Sequence, residues 1–298
     1  LGSLSNWHDE GAVTYQKMLA LQRLELFPFP WLNLAVTGTV LGAKRFELMY
    51  MAPLIFGVLA QDLMDNVDNV GVGVDAAFNL PPFGKAYFSF YADEMEFTSL
   101  HNLFTRPRNM FALQGGVKLR VPWLPFTTAT LQYTKIEPFT YAHFPTDYAD
   151  YEIPVDTAYT HDGENLAYHL WPNSDELLVK LRSVPFASFQ AGLEYRLIRH
   201  GDNPNALPGD LAILGRPDGW LDYVILDTIP DKDFLHDGLY DFNHIVTVSG
   251  EYAIPDTPVT VQLSYTFSYT FWDTNATGLP YPGDIVRNII GLKVKVFR

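Results

Sequence analysis

Residues 137–176 combine aromatic and oxygen-bearing side chains at a density that suits the binding of sugars. Aromatic rings stack on the apolar faces of pyranose rings, while carboxylates, amides and imidazoles bond to the sugar hydroxyl groups. The candidate glycan-binding residues are Tyr141, His143, Tyr148, Tyr151, Asp162, Glu164, Asn165, His169, Trp171 and Asn173. A loop that folds inward on its own aromatic side chains would have the same composition, so both interpretations stay open.

A second group of polar side chains occurs at alternate positions within apolar segments or at their ends. Since successive side chains of a strand point to opposite sides, this spacing predicts one polar face for each strand. The group consists of Asp75, Asp93, Glu94, Lys118, Arg120, Gln132, Lys180, Arg182, Glu194 and Arg196. These residues are suited to lining a lumen that passes solutes or binds an anionic sugar, and equally to an interior of ion pairs that joins neighbouring strands.

The sequence offers little for catalysis or metal binding. It has no Cys, which excludes disulfides and thiolate chemistry. None of the His residues has a metal-binding spacing, and the oxygen-rich run at residues 62–69 lacks the spacing of a calcium loop. Hydrolysis by a Ser–His pair would require the two residues to lie on neighbouring strands, and His244 with Ser249 or Ser264 is the pair that the sequence leaves open. No nucleophile elbow is recognisable in the sequence. We therefore predict a protein that is not an enzyme and holds no metal or cofactor.

Composition restricts the class of protein further. The net charge of -14 argues against nucleic acid as a partner, because the basic surface that neutralises phosphates is missing. Aromatic residues reach 15% and charged residues only 18%, an apolar excess beyond that of an ordinary soluble domain. The longest apolar run, residues 51–60, is about half of the roughly 20 residues that a spanning helix needs. We therefore expect no transmembrane helix.

A strict two-residue alternation defines the elements that carry these side chains. In PVTVQLSYTFSYTF, residues 258–271, every odd position is apolar and, after Pro258, every even position is polar and uncharged. The same period recurs at residues 70–80, 109–121 and 189–197. It predicts amphipathic strands, and a strand with one wholly apolar face is suited to lipid on that side and water on the other.

Two kinds of connection alternate along the chain. Short turns marked by Pro lie near residues 29, 82, 123, 185 and 256. Long polar loops lie near residues 53–68, 97–107, 138–174, 199–220 (or 199–238) and 273–285. Outer-membrane barrels have this asymmetry, with short periplasmic turns and long extracellular loops. A soluble β-sandwich or lipocalin-like barrel is the alternative, but its outer face should be charged, whereas most charges here lie opposite the aliphatic residues.

We therefore predict an all-β fold: a transmembrane, antiparallel, up-and-down β-barrel of about 12 or more strands, surrounded by outer-membrane lipid. Residues 1–298 would form this single domain. About eleven strands are recognisable, and because bacterial barrels have an even number, we expect another strand upstream of Leu1 or within the first dozen residues. The chain begins without Met, which predicts a processed or truncated protein. Its last strand, NIIGLKVKVFR, has Phe297 next to last, similar to the terminal signal that barrel-assembly machinery reads.

Four segments carry a family resemblance. They are LELFPFPWLNLAVTGTVLGAKRFELMYMAPL, DNVGVGVDAAFNLPPFGKAYFSFYADEMEF, LQYTKIEPFTYAHF and HDGENLAYHLWPNSDELLVKL. Their most specific parts are Asp75, Asp93 with Glu94, Tyr133 with Thr134, Tyr141 with His143, and the stretch from Gly163 to Glu176. In these residues the chain resembles the capsule assembly Wzi family of outer-membrane proteins. The resemblance implies a monomeric, occluded, lectin-like barrel that retains capsular polysaccharide at the cell surface and is not an enzyme.

These observations give one functional expectation and two alternatives. We expect a protein in the outer membrane of a diderm bacterium that binds or retains a capsule-like surface polysaccharide. A porin-like diffusion channel for small solutes is the first alternative, and a structural protein of the envelope is the second.

Overall fold

A computed structural model describes residues 2–5, 16–43, 68–96, 98–124, 126–141, 159–161, 164–201, 231–235, 239–274 and 283–296. The strands in the first half of the chain are β1 (Gly2–Ser5), β2 (Gln16–Phe29), β3 (Leu32–Ala43), β4 (Asn69–Leu80), β5 (Gly84–Glu94), β6 (Met110–Arg120) and β7 (Thr127–Ile136). The remaining strands are β8 (Thr160–His161), β9 (Glu164–Asn165), β10 (Ser174–Phe186), β11 (Phe189–Gly201), β12 (Leu239–Ala253), β13 (Val259–Thr274) and β14 (Ile285–Val296). A short helix, α1 (Leu100–Thr105), lies between β5 and β6. Within the described residues, no helix is both long enough and apolar enough to span a membrane.

Twelve strands form one antiparallel sheet in the order β1-β2-β3-β4-β5-β6-β7-β10-β11-β12-β13-β14. The all-β, antiparallel character predicted from the sequence is thereby confirmed. Eleven of these strands are long, and the four-residue strand β1 pairs with the start of β2. Strand β1 lies within the first dozen residues, where the parity of the strands predicted an additional one. Strands β8 and β9 pair only with each other.

Short and long connections alternate, as the sequence predicted. The connections at residues 30–31, 81–83, 121–126, 187–188 and 254–258 lie at one end of the sheet, which we call the turn end. The strand ends that flank residues 44–68, 95–109, 137–173, 202–238 and 275–284 lie at the other end, which we call the loop end. Gly84 closes one tight turn with a φ of 147° and so close to the Lys118 carbonyl oxygen that no side chain would fit. The LPPFG sequence therefore needs its glycine.

The register of the strands sorts their side chains onto two faces. Residues directly opposite each other in neighbouring strands share a face. Leu263 lies opposite both Gly250 and Leu292, whereas its neighbour Gln262 lies opposite Glu251 and Lys293. Following these pairs from strand to strand defines an apolar face and a polar face over β2 to β14.

The apolar face exposes large side chains across the sheet. One exposed example from each of ten strands, in sheet order, is Leu24, Val74, Phe88, Leu119, Leu131, Val179, Leu193, Val248, Leu263 and Leu292. Leu263 is 57% exposed and Ile290 on β14 is 76% exposed. An apolar surface of this extent is far larger than the patches that soluble monomers show, so it requires a lipid or protein environment.

Candidate functional site

Part of the long connection between β7 and β10 packs back onto the polar face at the loop end. Tyr141, Tyr159 and Leu170 from this connection join Leu41, Ala112 and Ile136 of the sheet in a buried cluster. We call these residues the loop cap. Partly buried side chains that pack against it are Leu19, Tyr91, Leu166, Tyr168 and Ile198.

The contacts of the loop cap show that the sheet is curved. Leu19 on β2 and Ile198 on β11 pack against the same cluster, although six strands separate β2 from β11 in the sheet order. In a flat sheet those two strands would be about 34 Å apart. The sheet therefore curls toward its polar face.

The two tyrosines of the loop cap, Tyr141 and Tyr159, pack against Tyr91 on β5. The ring centroids of Tyr91 and Tyr141 are 5.7 Å apart, and those of Tyr91 and Tyr159 are 5.8 Å apart. The Tyr141 amide donates to the Asp93 carboxylate at 2.8 Å, and the Tyr159 hydroxyl bonds to the Thr39 hydroxyl. Burial raises the pKa of the phenol groups of Tyr141 and Tyr159 well above the ordinary value. Both rings therefore stay neutral and act as packing groups.

Glycines on the polar face make room for two tyrosines. A Cβ atom on Gly71 would collide with the Tyr91 hydroxyl, and one on Gly116 would lie 2.6 Å from the Tyr87 hydroxyl. An aromatic ring that covers a glycine in the neighbouring strand restores the packing that the missing side chain would provide. The glycines of VGVGV and QGG are thus explained in part by the tyrosines that lie across them.

A hydrogen-bonded network continues from the loop cap toward the turn end. Tyr87 donates to Gln132 Oε1 at 2.6 Å, and Gln132 Nε2 donates to the Tyr168 hydroxyl at 3.0 Å. The Tyr168 hydroxyl in turn donates to Glu176 Oε1 at 2.6 Å. Burial and this bond to Glu176 raise the pKa of Tyr168 to about 12. Tyr168 therefore remains a neutral donor that connects the loop to the sheet.

The charged half of the network lies on β10 and β11. Glu176 is fully buried, and its Oε2 is 3.1 Å from His169 Nε2 and 3.3 Å from Arg196 Nη1. Arg196 Nε also contacts Glu194 Oε1 at 2.7 Å, and Lys180 pairs with the same carboxylate. Since burying an unpaired carboxylate is costly, Glu176 is stabilised by its three partners, the Tyr168 hydroxyl, His169 and Arg196.

The glycan candidates occupy different environments. Tyr141 and Asn173 are 4% and 0% exposed, so neither presents its side chain to solvent. Instead, Asn173 Oδ1 accepts a 2.9 Å hydrogen bond from the Leu235 amide. His169 is exposed and Trp171 is partly exposed. His143, Tyr148, Tyr151 and Asp162 lie outside the described residues, and Glu164 and Asn165 are described only as the backbone of β9. The described part of the loop thus corresponds to the inward-folded alternative, with His169 and Trp171 at its accessible edge.

The second predicted group lies together on the polar face. Asp75 pairs with Arg23, and Glu94 lies 3.3 Å from Arg108. Gln132, Lys180, Glu194 and Arg196 belong to the network described above. Lys118, Arg120 and Arg182 are exposed near the turn end. The group therefore contains both ion pairs and isolated cations.

The sequence analysis missed Tyr87, Tyr168 and Glu176, which connect these residues. Tyr168 and Glu176 both belong to the stretch from Gly163 to Glu176 that carried the family resemblance, and that was the available signal. Tyr87 lies in the second of the four resembling segments, but its role depends on which glycine lies opposite it, and the sequence alone does not show that pairing.

The Ser–His pairing considered from the sequence is excluded by the register. His244 lies on the apolar face, where its Nδ1 is 2.9 Å from the Tyr195 hydroxyl, whereas Ser249 and Ser264 lie on the polar face. A different pair, Ser174 Oγ and His200 Nδ1, is in contact at 2.7 Å, but Ser174 is buried. Among the described residues, no group of three or more His, Cys, Asp or Glu side chains could hold a metal ion.

A second buried ionic group anchors residues 231–235 at the loop end. The Lys232 ammonium group is fully buried 2.9 Å from Glu137 Oε2, and Lys135 lies 2.6 Å from Glu137 Oε1. Lys232 also donates to the Asn109 carbonyl. Burial lowers the pKa of Lys232 to about 8, although Glu137 acts in the opposite direction. This group ties the connection between β11 and β12 to the ends of β6 and β7.

Comparisons of the chain with models of protein families, with curated proteins and with solved structures find no match. The function is therefore argued from the faces of the sheet and from the loop cap.

Proposed function

We propose that this protein is an outer-membrane β-barrel, closed by its own loops, that binds surface polysaccharide without converting it. The observation that carries the proposal is the contrast between an exposed apolar face and a polar face covered at its loop end by the loop cap. The resemblance to the capsule assembly Wzi family agrees with this reading.

The dimensions of the apolar face support a membrane location. On β10 it extends from Leu177 to Phe186, and ten residues of a tilted strand cover roughly 25 Å, the height of the apolar band of outer-membrane barrels. Next to Leu177 the band ends at Asp175, whose carboxylate accepts a 2.8 Å hydrogen bond from Arg199 Nε and another of 2.8 Å from the Tyr133 hydroxyl. The ring of Tyr133 therefore lies in the apolar band, while its hydroxyl bonds to the Asp175–Arg199 pair. A tyrosine placed in this way is typical of a membrane interface.

The curl of the sheet supports closure into a barrel. Closure of twelve or more strands would leave no sheet edge in lipid, where every backbone polar group needs a partner. The pairing of β14 with a strand near the N-terminus is part of the proposal.

The loop cap favours a binding protein over an open channel. Its buried residues and the network from Tyr87 to Glu176 occupy the polar face where a diffusion path would run. The accessible edge of the cap carries His169 and Trp171 beside the Glu176 network, which combines an aromatic surface with hydrogen-bonding groups.

Binding of surface polysaccharide by the purified protein in detergent micelles tests this function. We expect the wild-type protein to bind the polysaccharide of its own cell surface, and His169→Ala combined with Trp171→Ala to weaken that binding about tenfold. A matched control is Trp123→Ala, which removes an exposed aromatic ring at the turn end. Equal binding by wild type and the double variant would contradict the assignment of the site.

Conductance in planar bilayers separates this proposal from the porin alternative. An occluded barrel should give no single-channel steps, whereas a porin should give steps of constant size. Regular steps from the wild-type protein would contradict occlusion.

A further inference from the structure

Four cations lie close together near the turn end of the polar face, on strands β5, β6 and β10. Lys85 lies directly opposite Lys118, and Arg120 lies opposite Thr128, which in turn lies opposite Arg182. All four cationic side chains are exposed. We call Lys85, Lys118, Arg120 and Arg182 the turn-end basic patch.

Carboxylates elsewhere on the polar face already have partners. Asp75 pairs with Arg23, and Glu251 pairs with Lys295 at 2.8 Å. Glu194 pairs with both Lys180 and Arg196. In the part of the chain that the structure describes, none of the four patch cations forms an ion pair. The Lys85 ammonium group has only the Tyr87 ring, 5.6 Å from its centroid.

This arrangement is unfavourable without a further partner. Like charges directly opposite each other in neighbouring strands repel, as Lys85 and Lys118 do. The whole chain carries a net charge of -14, so carboxylates are abundant, yet none of those among the described residues pairs with a cation of the patch. A cluster of four unpaired cations, with carboxylates on the same face already engaged by other cations, is suited to a ligand that supplies the missing negative charge.

We propose that the turn-end basic patch binds an oxyanion ligand, a molecule that carries carboxylate or phosphate groups. Arg120 and Arg182 offer planar guanidinium groups that can hold an oxyanion with two parallel hydrogen bonds, while Lys85 and Lys118 act as point charges. Between them, Thr128 and Thr130 contribute hydroxyl groups that donate to an anion without adding charge.

The patch lies apart from the loop cap. Lys85 and Lys118 each lie two residues closer to the turn end than the facing residues Tyr87 and Gly116. Arg120 and Arg182 lie two residues closer still. The ligand would therefore approach from the turn end. Binding at the patch does not depend on residues of the loop, so failure of the loop site and failure of the patch can be told apart.

Isothermal titration calorimetry of the full chain in detergent micelles tests the proposal with three probes. Tripolyphosphate supplies phosphate groups, oligogalacturonate supplies carboxylates on a sugar chain, and maltoheptaose is a neutral sugar chain. We expect at least one anion to bind more tightly than maltoheptaose, and its affinity to fall with added salt because exposed charges are screened. Binding of only one anion would identify phosphate or carboxylate as the group recognised.

Variants locate the site. Lys118→Gln combined with Arg120→Gln should weaken anion binding about tenfold or more. Lys293→Gln, the matched control, removes an exposed cation from the polar face of β14 and should leave binding unchanged. Without ligand, Lys118→Gln should keep or raise the unfolding temperature, because it removes the repulsion with Lys85. No binding of either anion by the wild type, equal weakening in Lys293→Gln, or a lower unfolding temperature for Lys118→Gln would overturn the proposal.

Discussion

Gln262 and Leu263 are neighbours in sequence and have different surroundings. Gln262 lies on the polar face between Glu251 and Lys293, whereas Leu263 lies on the apolar face between Gly250 and Leu292. The polar face carries most of the sheet's charged side chains, many of them in ion pairs, and is covered at one end by a loop, while the apolar face has no cover from the described part of the chain. The polar face thus contacts water and protein. Lipid is the environment that we propose for the apolar face.

Two neighbouring glycines of β6 also have different surroundings. On the polar face Gly116 lies under the Tyr87 ring, whereas a Cβ atom on its neighbour Gly115, on the apolar face, would come no closer than 3.8 Å to another atom. The polar face is therefore tightly packed around specific tyrosines. The apolar face tolerates changes of shape more readily than changes of polarity.

The largest effect is expected from a charge on the apolar face. Leu263→Arg should destabilise the folded protein in phospholipid vesicles by about 2–4 kcal/mol, because the guanidinium group would enter hydrocarbon. Gln262→Arg is the control, since it places the same side chain on the polar face and should cost less than about 1 kcal/mol. The free energy of unfolding from vesicles measures both. If both variants lost a similar amount of unfolding free energy, the proposed difference between the two faces would be wrong.

A smaller effect is expected from a methyl group under Tyr87. Gly116→Ala should destabilise by about 1–3 kcal/mol, because the added Cβ atom displaces Tyr87 from Gln132. Gly115→Ala, one residue earlier, meets only ordinary contacts and should be close to neutral. Denaturant unfolding followed by tryptophan fluorescence checks both values. If Gly115→Ala were the more damaging change, the tight packing would have been assigned to the wrong face.

A third effect is expected at the loop end, where the Lys232 ammonium group is buried beside Glu137. The pKa of Lys232 is about 8 in the folded protein against an ordinary value of 10.5, so between these pH values the unfolded chain binds more protons. Stability should therefore rise as the pH increases through this window. The stability of the wild type relative to Lys232→Met measures the contribution and removes the effect of other groups. A difference that falls over the same window would contradict the burial of a charged Lys232 beside Glu137.

The sequence predicts the fold better than the site, for physical reasons. A two-residue period extends over whole strands, so strand positions, the two faces and the alternation of turns with loops follow from local patterns such as residues 258–271. The loop cap depends on contacts between residues distant in sequence, such as Tyr159 with Thr39 and Tyr141 with Asp93. Composition indicated an aromatic loop but could not decide between an exposed and a buried Tyr141 or Asn173. The Ser–His hypothesis failed because His244 and Ser249, five residues apart, necessarily point to opposite faces of β12.

The account rests on the claim that the apolar face meets lipid while the polar face does not. Because the chain contains no Cys, single cysteines can be introduced from Val261 to Phe267 and labelled with an environment-sensitive fluorophore. Quenching by brominated lipids in proteoliposomes then reports which side chains contact hydrocarbon. We predict strong quenching at Val261, Leu263, Tyr265 and Phe267 and weak quenching at Gln262, Ser264 and Thr266. Uniform quenching along β13, or none at the odd positions, would contradict the membrane barrel.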